Sequence, residues 1–181
     1  VTVFGSARTP ADHPLYLQAR ELGARLAQRN LMVITGAGGG IMAAAHEGAG
    51  VENSLGFNII LPFEQTANAT MRGSNHLLSF HFFFLRKLFF VKEADGLVLC
   101  PGGFGTLDEI LDAVTLRQLG YHDKPILLVD LGGYWQACRG LFEQFVANGF
   151  AEPSALRLYE LVPDVDTALA RLGEAAHAQG L

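Results

Sequence analysis

Short apolar runs alternate with longer stretches of helical periodicity along this 181-residue chain, and this alternation limits the possible folds more than any other feature. Runs of four to six residues that are almost wholly apolar are typical of strands buried on both faces of a parallel sheet. The five clearest runs are VTVF (1–4), LMVIT (31–35), LGFNII (55–60), GLVLC (96–100) and ILLVD (126–130). A sixth strand is predicted near 159–162.

Helices are predicted between these strands, at 14–29, 41–50, 81–94, 106–119, 134–148 and 164–176. Strands and helices that alternate in this way form right-handed crossovers. The sequence therefore predicts an α/β fold: a single-domain, doubly wound parallel sheet, Rossmann-like, with helices on both faces.

The segment 61–79 is the longest stretch without clear periodicity. Long irregular loops in compact domains often carry function. Glu64 and Asn68 in this loop are therefore candidates for contacts with a ligand.

Glycine-rich loops follow three of the predicted strands: GSAR (5–8), GAGGG (36–40) and PGGFGT (101–106). In an open parallel sheet, ligands bind outside the carboxyl ends of the strands. Any one loop is explained equally well by a tight turn, in which glycine adopts positive φ without steric cost. Three such loops at one sheet edge favour a ligand, and they make Ser6, Gly38 and Gly39 candidate binding residues.

The second loop does not match the common nucleotide motifs. GAGGGIM (36–42) lacks the Lys-Ser/Thr of a Walker A loop, and Ile41 interrupts the GxGxxG pattern. No acidic residue ends the next strand, where one would bind the adenosine ribose of NAD. An NAD-dependent dehydrogenase is therefore poorly supported.

The third loop, PGGFGTLDE (101–109), is better suited to an anion. The main-chain amides of Gly103, Phe104, Gly105 and Thr106 open a predicted helix. A helix N-terminus attracts an anion through its free N–H groups and its dipole. A single phosphate, as in a mononucleotide, would fit there.

Glu109 in this motif has two interpretations of equal weight. Thr106 and Glu109 have the spacing of a capping box, in which Thr caps the helix and Glu bonds back to the cap amide. A carboxylate beside a phosphate site could instead stabilise a developing sugar cation. The residues alone leave this choice open.

Arg86 and Lys87 lie within the most apolar stretch of the chain, FHFFFLRKLFFVK (80–92). Burial of a charge is costly unless another group pairs with it. One interpretation is a packing helix whose two cations extend to water. In the other, the aromatic side chains anchor the helix and Arg86 points into a ligand cleft.

Charge and composition exclude several classes of protein. A net charge of −5 argues against nucleic-acid and membrane partners. No apolar run reaches the length of a membrane span without a charge, and no signal peptide opens the chain. Cys100 and Cys138 are too few for a disulfide framework, which favours a cytoplasmic location, and no spacing of histidines predicts a metal site. Tyr134 and Trp135 are expected to pack rather than to stack on a ligand.

Several motifs together resemble the Lonely Guy family of nucleoside 5′-monophosphate phosphoribohydrolases. The resemblance covers nearly the whole chain, and its Phe-rich segment indicates the bacterial branch of the family. The matching motifs are VTVFGSARTP (1–10), GGGIM (38–42), LPFEQTAN (61–68), FHFFFLRK (80–87), PGGFGTLDE (101–109) and TLRQLG (115–120).

The resemblance implies a nucleotide-binding domain, residues 1–181, that releases the free base and ribose 5-phosphate from AMP or from N6-modified, cytokinin-type nucleotides. It implies that Arg86 and Glu109 are the catalytic pair. Lys87, the stretch 103–109 and Thr115 match nucleotide-contacting positions. The resemblance also implies a homodimer and no cofactor. The alternative is a protein of the same fold that binds or carries a nucleotide or a phosphorylated cofactor without turnover.

Overall fold

The computed structural model describes residues 1–60 and 66–178, and in this part of the chain seven strands form one parallel sheet. The strand order is β4-β3-β2-β1-β5-β6-β7. The strands are β1 (Thr2–Phe4), β2 (Val33–Thr35), β3 (Ser54–Ile59), β4 (Leu77–Phe80), β5 (Leu97–Leu99), β6 (Ile126–Val129) and β7 (Glu160–Val162). Glu64 and most of the LPFEQTAN motif lie outside the described residues.

Six α-helices occur in the same part of the chain, and each connects or follows strands as predicted. They are α1 (Pro14–Ala27), α2 (Ile41–Ala49), α3 (Phe83–Lys92), α4 (Phe104–Gln118), α5 (Gln136–Ala147) and α6 (Val165–Ala178). Two hydrophobic clusters lie on opposite faces of the sheet: α1, α2 and α6 contribute to one, and α3, α4 and α5 to the other. The predicted doubly wound α/β fold with helices on both faces is confirmed.

The strand order reverses direction at β1. The chain moves outward from β1 to β4, and α3 then returns it to β5, which pairs with the free side of β1. Val3 of β1 pairs with Val98 of β5 in parallel register, so the carboxyl ends of these two strands lie side by side. In open α/β sheets such a reversal is the place where ligands bind.

Two details differ from the prediction. Part of the segment 61–79, expected to be an irregular loop, forms β4, an edge strand that pairs with β3 alone. Its side chains are only half-buried or exposed, so no buried apolar run marked it in the sequence. Helix α4 begins at Phe104 rather than at 106, and this changes the interpretation of Glu109.

None of the helices in the described part of the chain combines the length and the apolar character that a bilayer crossing requires.

Helices α1 and α2 pack with their backbones in close approach. A Cβ added at Gly48 would lie 1.9 Å from the carbonyl oxygen of Arg20, and one added at Gly23 would lie 2.0 Å from that of Ala45. These atoms belong to the backbone and cannot rotate away. Each glycine therefore allows the opposite helix to approach.

We predict opposite effects for two helical glycine-to-alanine changes. Gly48→Ala should lower the free energy of unfolding by about 1–3 kcal/mol or more, because α1 and α2 must separate. Gly173→Ala in α6, where an added Cβ meets nothing within 4 Å, should raise it by about 0.5–1 kcal/mol, because alanine favours the helix. Denaturant unfolding of both variants measures the effect, and equal stabilities would contradict the close packing.

Candidate active site

A cavity of about 500 Å³ opens at the carboxyl ends of β1 and β5, where the strand order reverses. The amide of Ser6 donates a hydrogen bond of 3.1 Å to the carbonyl oxygen of Pro101, which joins the loops that follow the two strands. One wall is the loop 5–8 and another is the first turn of α4, residues 103–106. The remaining lining residues are Phe4, Gly36, Met42, Ile59, Phe83, Arg86, Phe90 and Glu109.

The first turn of α4 presents free main-chain amides to this cavity. Gly103 is the N-cap, and the first helical hydrogen bond runs from the amide of Leu107 to the carbonyl oxygen of Gly103 at 3.0 Å. The amides before Leu107 precede that bond and have no partner within the helix. Free amides at the positive end of a helix dipole attract anions, so binding of a phosphate here stays a prediction.

The capping-box interpretation of Thr106 and Glu109 is wrong. Because α4 begins at Phe104, Thr106 is the third helical residue rather than the cap, and no side chain of the described residues caps this helix. Thr106 is buried against Gly102, where an added Cβ would lie 2.1 Å from its Oγ1 atom. Glu109 falls in the second turn and lines the cavity.

Arg86 and Glu109 face each other across the cavity wall from α3 and α4. Nη2 of Arg86 lies 3.9 Å from Oε1 of Glu109, with only 15% and 10% of the two side chains exposed. The guanidinium group also lies between the rings of Phe83 and Phe90, 5.2 and 5.4 Å from their centroids. Its buried Nε atom has no hydrogen-bond partner among the described residues. The aromatic side chains therefore seat Arg86 at the cavity rather than carry it to the surface.

Burial controls the ionisation of this pair. It raises the pKa of Glu109 to about 7, although the positive charges of Arg86 and Lys87 lower it in part. Burial also lowers the pKa of Arg86, and the carboxylates of Glu109 and Asp108 oppose that effect. Glu109 thus holds its proton to a higher pH than an ordinary carboxyl group does.

Helix α3, which carries Arg86, is fixed to the sheet at its C-terminal end. Oγ1 of Thr2 donates a hydrogen bond of 2.8 Å to the carbonyl oxygen of Phe90. Nζ of Lys124 donates to the carbonyl oxygens of Val91 and Lys92 at 2.7 and 2.9 Å. These bonds satisfy carbonyl groups that a helix end leaves without partners.

Lys87 and Thr115 lie outside the cavity lining. Nζ of Lys87 contacts carboxylate oxygens of Asp108 and Asp112 at 2.7 Å each, and it joins α3 to α4 beside the site. Thr115 is exposed on α4, beyond Glu109. Contact of these two residues with a nucleotide stays a prediction.

Gly38 and Gly39 also lie outside the lining; Gly39 lies against the loop after β1, and Gly38 contacts Asn68. A Cβ added at Gly39 would lie 3.1 Å from the carbonyl oxygen of Ala7. The side-chain amide of Asn68 donates to the carbonyl oxygen of Gly38 at 3.1 Å, so this part of the predicted loop is tied to the glycine segment. Ser6, the stretch 103–106, Arg86 and Glu109 are the predicted residues that the structure brings together.

Several side chains of the cavity were not predicted as lining residues. Met42, Ile59, Phe83 and Phe90 form an apolar wall. Met42 lies in the GGGIM motif, Ile59 in a predicted strand, and Phe83 and Phe90 in the apolar stretch 80–92. Arg8 is exposed at the cavity, in the GSAR loop for which only Ser6 was predicted as a binding residue. The described residues contain no group of three or more His, Cys, Asp or Glu side chains that could hold a metal ion.

Comparisons with known proteins agree on one family. A family profile described as "Possible lysine decarboxylase" matches residues 39–172. Over 97% of its length, the chain is 31% identical to 77% of the "Probable cytokinin riboside 5'-monophosphate phosphoribohydrolase LOG4" of Oryza sativa subsp. japonica. It is 30% identical to the cytokinin riboside 5'-monophosphate phosphoribohydrolase LOG3 of Arabidopsis thaliana, over 87% of this chain and 74% of that protein.

Among solved structures, the Moco carrier protein of Chlamydomonas reinhardtii superposes on this chain with a TM-score of 0.68. The match covers 98% of this chain and 96% of the carrier at 21% sequence identity. At this identity the likeness shows a shared fold alone.

The raised pKa of Glu109 predicts a pH-dependent stability difference for Glu109→Gln. A folded-state pKa of about 7, against an ordinary value of 4.5, means that ionisation destabilises the fold. The protonated carboxyl group stabilises the folded state, and this contribution to stability is fully present below pH 4.5 and is lost as pH rises through about 7. Glutamine resembles the protonated acid. The free energy of unfolding of Glu109→Gln should therefore equal that of the wild type at pH 4.5 and be higher than it at pH 8, by about 3 kcal/mol at most.

Thermal or denaturant unfolding at the two pH values measures this difference. Glu47→Gln is the matched control, because Glu47 is a half-exposed surface carboxylate paired with Arg20 at 3.2 Å. Such pairs contribute about 0–1 kcal/mol, so the control should show little change with pH. A Glu109→Gln protein that is no more stable than the wild type at pH 8 would contradict the burial of this charge.

Proposed function

The chain belongs to the family that this profile defines and that includes the cytokinin riboside 5'-monophosphate phosphoribohydrolases, and from this membership we propose that it hydrolyses the N-glycosidic bond of nucleoside 5′-monophosphates. The products would be the free base and ribose 5-phosphate. AMP and N6-modified, cytokinin-type nucleotides are the proposed substrates.

One observation carries the proposal: a buried carboxyl group and a buried guanidinium group face one cavity beside the first turn of a helix. The carboxyl group of Glu109 and the guanidinium of Arg86 lie 3.9 Å apart, from different helices. The amides of residues 103–106 form another wall of the same cavity. An acid, a cation and free main-chain amides thus line one cavity, which supports action on a single sugar phosphate.

The proposed reaction breaks the bond between C1′ of the ribose and the base. The electron pair of that bond leaves with the base, which gains a proton, and positive charge develops on C1′ as in glycoside hydrolysis. The carboxylate of Glu109 would stabilise this charge and accept a proton from the water that adds to C1′. One water is consumed, and its oxygen becomes the hydroxyl group on C1′ of ribose 5-phosphate.

The other residues of the cavity would position the substrate. The 5′-phosphate would bind the free amides at the start of α4, and this remote binding would fix the sugar relative to Glu109. Arg86 would hold the substrate and the carboxylate in place with its planar set of donors. The apolar wall formed by Met42, Ile59, Phe83 and Phe90 would accept the base.

The three lysines do not support the decarboxylase description of the family profile. A pyridoxal phosphate decarboxylase needs a lysine that forms a Schiff base at its site. The sequence contains Lys87, Lys92 and Lys124, and none of them lines the cavity. Lys87 forms ion pairs with two aspartates, and Lys124 donates hydrogen bonds to backbone carbonyl groups. The side chain of Lys92 is exposed.

A second candidate is a protein that binds or carries a nucleotide or a phosphorylated cofactor without turnover. The shared fold with the Moco carrier protein favours it, because that protein is named for carrying its ligand. The two functions differ in what Glu109 must do. A carrier requires only the anion site, whereas a hydrolase also requires the carboxyl group.

The decisive experiment is release of free base by the purified protein from AMP and from isopentenyl-AMP, followed by chromatography. We expect turnover, and we expect Glu109→Gln to lower kcat by about 10²-fold or more, because proton transfer and charge stabilisation are lost. Glu47→Gln, on the surface of α2, should retain wild-type activity. Saturable binding of AMP without release of base would favour the carrier, and full activity of Glu109→Gln would refute the assigned role.

We also propose that two copies of the chain associate through an exposed apolar surface next to the site. This surface, called here the α3–α4 surface, carries large side chains that a monomer would leave in water: Phe82, Phe84, Leu85 and Leu88 around α3, and Phe104 and Leu111 on α4. Phe84 is 67% exposed and Phe104 is 92% exposed. Large exposed apolar side chains that cluster on a surface mark interaction sites, and among soluble oligomers the symmetric homodimer is the commonest form.

Light scattering at micromolar concentration tests this assembly, and we expect a dimer. Replacing Phe84 and Leu88 together by aspartate should give a monomer, because two charges would be buried at the interface. Leu141→Asp on α5, an exposed leucine away from the α3–α4 surface, should remain a dimer. A wild-type protein that is monomeric under these conditions would contradict the assembly.

A cytoplasmic location is likewise proposed, in keeping with two isolated cysteines in the sequence.

A further inference from the structure

The loop that opens α4 is held from outside the cavity by a tyrosine. The phenolic hydroxyl of Tyr134 donates a hydrogen bond of 2.6 Å to the carbonyl oxygen of Gly102. Tyr134 is half-exposed and does not line the cavity. Its contact with the loop is therefore made outside the cavity lining.

The position of Tyr134 is itself fixed by the end of a neighbouring strand. Asp130 follows β6, and its Oδ1 atom accepts a hydrogen bond of 2.6 Å from the amide of Trp135. The second carboxylate oxygen accepts a hydrogen bond from the side-chain amide of Gln136. The ring of Tyr134 also stands edge-on to the buried ring of Trp135, with centroids 4.9 Å apart. The phenol is therefore presented to Gly102 in a defined orientation.

The hydrogen bond to Gly102 determines where the next amide points. A trans peptide unit is planar, so its carbonyl oxygen and its N–H group point in opposite directions. Because the hydroxyl of Tyr134 holds the carbonyl oxygen of Gly102, the N–H group of Gly103 points away from Tyr134. Gly103 lines the cavity, and a Cβ added there would meet no atom within 4 Å, so the space in front of it is open.

The other side of the same loop is fixed by packing. A Cβ added at Gly102 would lie 2.1 Å from Oγ1 of Thr106 and 2.9 Å from the amide nitrogen of Ser6. The loop thus fits between Thr106 and Ser6 on one side and the Tyr134 hydroxyl on the other. Of these restraints, the tyrosine hydroxyl is the one that acts directly on the Gly102–Gly103 peptide group.

We propose that Tyr134 is a positioning residue for phosphate binding: its hydroxyl orients the Gly102–Gly103 peptide so that the amide of Gly103 joins the amides of the first turn of α4 in binding the anion. Identification of that anion as the 5′-phosphate of a nucleotide rests on the proposed function. The orientation of the Gly103 amide is independent of the proposed function. Any ligand that carries a phosphate monoester at this site would depend on Tyr134 in the same way.

The test is Tyr134→Phe, which removes the hydroxyl group and keeps the ring that packs on Trp135. Calorimetric titration with ribose 5-phosphate measures anion binding without any requirement for turnover. Loss of one hydrogen bond corresponds to about a three- to tenfold weaker affinity. With AMP as substrate we expect KM to rise by a similar factor while kcat stays within about twofold, because phosphate binding is shared by ground state and transition state. Tyr121→Phe, at an exposed tyrosine after α4, is the matched control, and it should change neither the affinity for ribose 5-phosphate nor the KM for AMP.

The outcomes separate the two proposals. An unchanged dissociation constant for ribose 5-phosphate in Tyr134→Phe overturns the positioning role, as does a fall in kcat with an unchanged dissociation constant. A wild-type protein that binds ribose 5-phosphate but releases no base from AMP refutes the hydrolase function, while the effect of Tyr134→Phe on binding still decides the inference. A wild-type protein with no affinity for ribose 5-phosphate overturns the inference, while release of base from AMP still decides the hydrolase function.

Discussion

The pairing of β1 with β5 is the constraint on which the site depends. It places the loop 5–8 against the start of α4, and it brings α3 and α4 to the same side of the sheet. Only then can a guanidinium on one helix and a carboxyl group on the other meet across a single cavity. The cost of burying both groups is reduced because each is the nearest opposite charge of the other.

The neighbours Arg86 and Lys87 show how one helix can use two cations for different purposes. Arg86 lies between two aromatic rings and reaches the cavity, where its charge lacks a full set of hydrogen-bond partners among the described residues. Lys87, on the next position round the helix, is neutralised by Asp108 and Asp112. A fully paired cation contributes to the contact between α3 and α4, whereas an underpaired one remains available to a ligand.

Much of the fold was predictable because buried parallel strands leave a strong local pattern, but features that depend on non-local packing were not. Helix α4 begins at Phe104, although a Gly-Phe-Gly stretch has poor helix propensity and favours a start at Thr106. Thr106 instead lies in the first turn, where it is buried close to Gly102. Arg86 and Glu109 were identified by resemblance to a family, while their approach to 3.9 Å required the strand order. For Tyr134 the sequence indicates only packing, since a hydrogen bond to a distant carbonyl group leaves no local pattern.

The fixation of α3 at one end has a mechanical consequence. Thr2 and Lys124 tie its last turn to the sheet, while its first turn, with exposed Phe83 and Phe84, carries no comparable bonds among the described residues. Lys87, the residue after Arg86, is in turn bound to α4 through Asp108 and Asp112, so the bonded part of α3 extends from its last turn to the neighbour of the guanidinium group. The position of Arg86 is thus determined by the anchoring of its helix, while its buried Nε atom stays without a hydrogen-bond partner among the described residues.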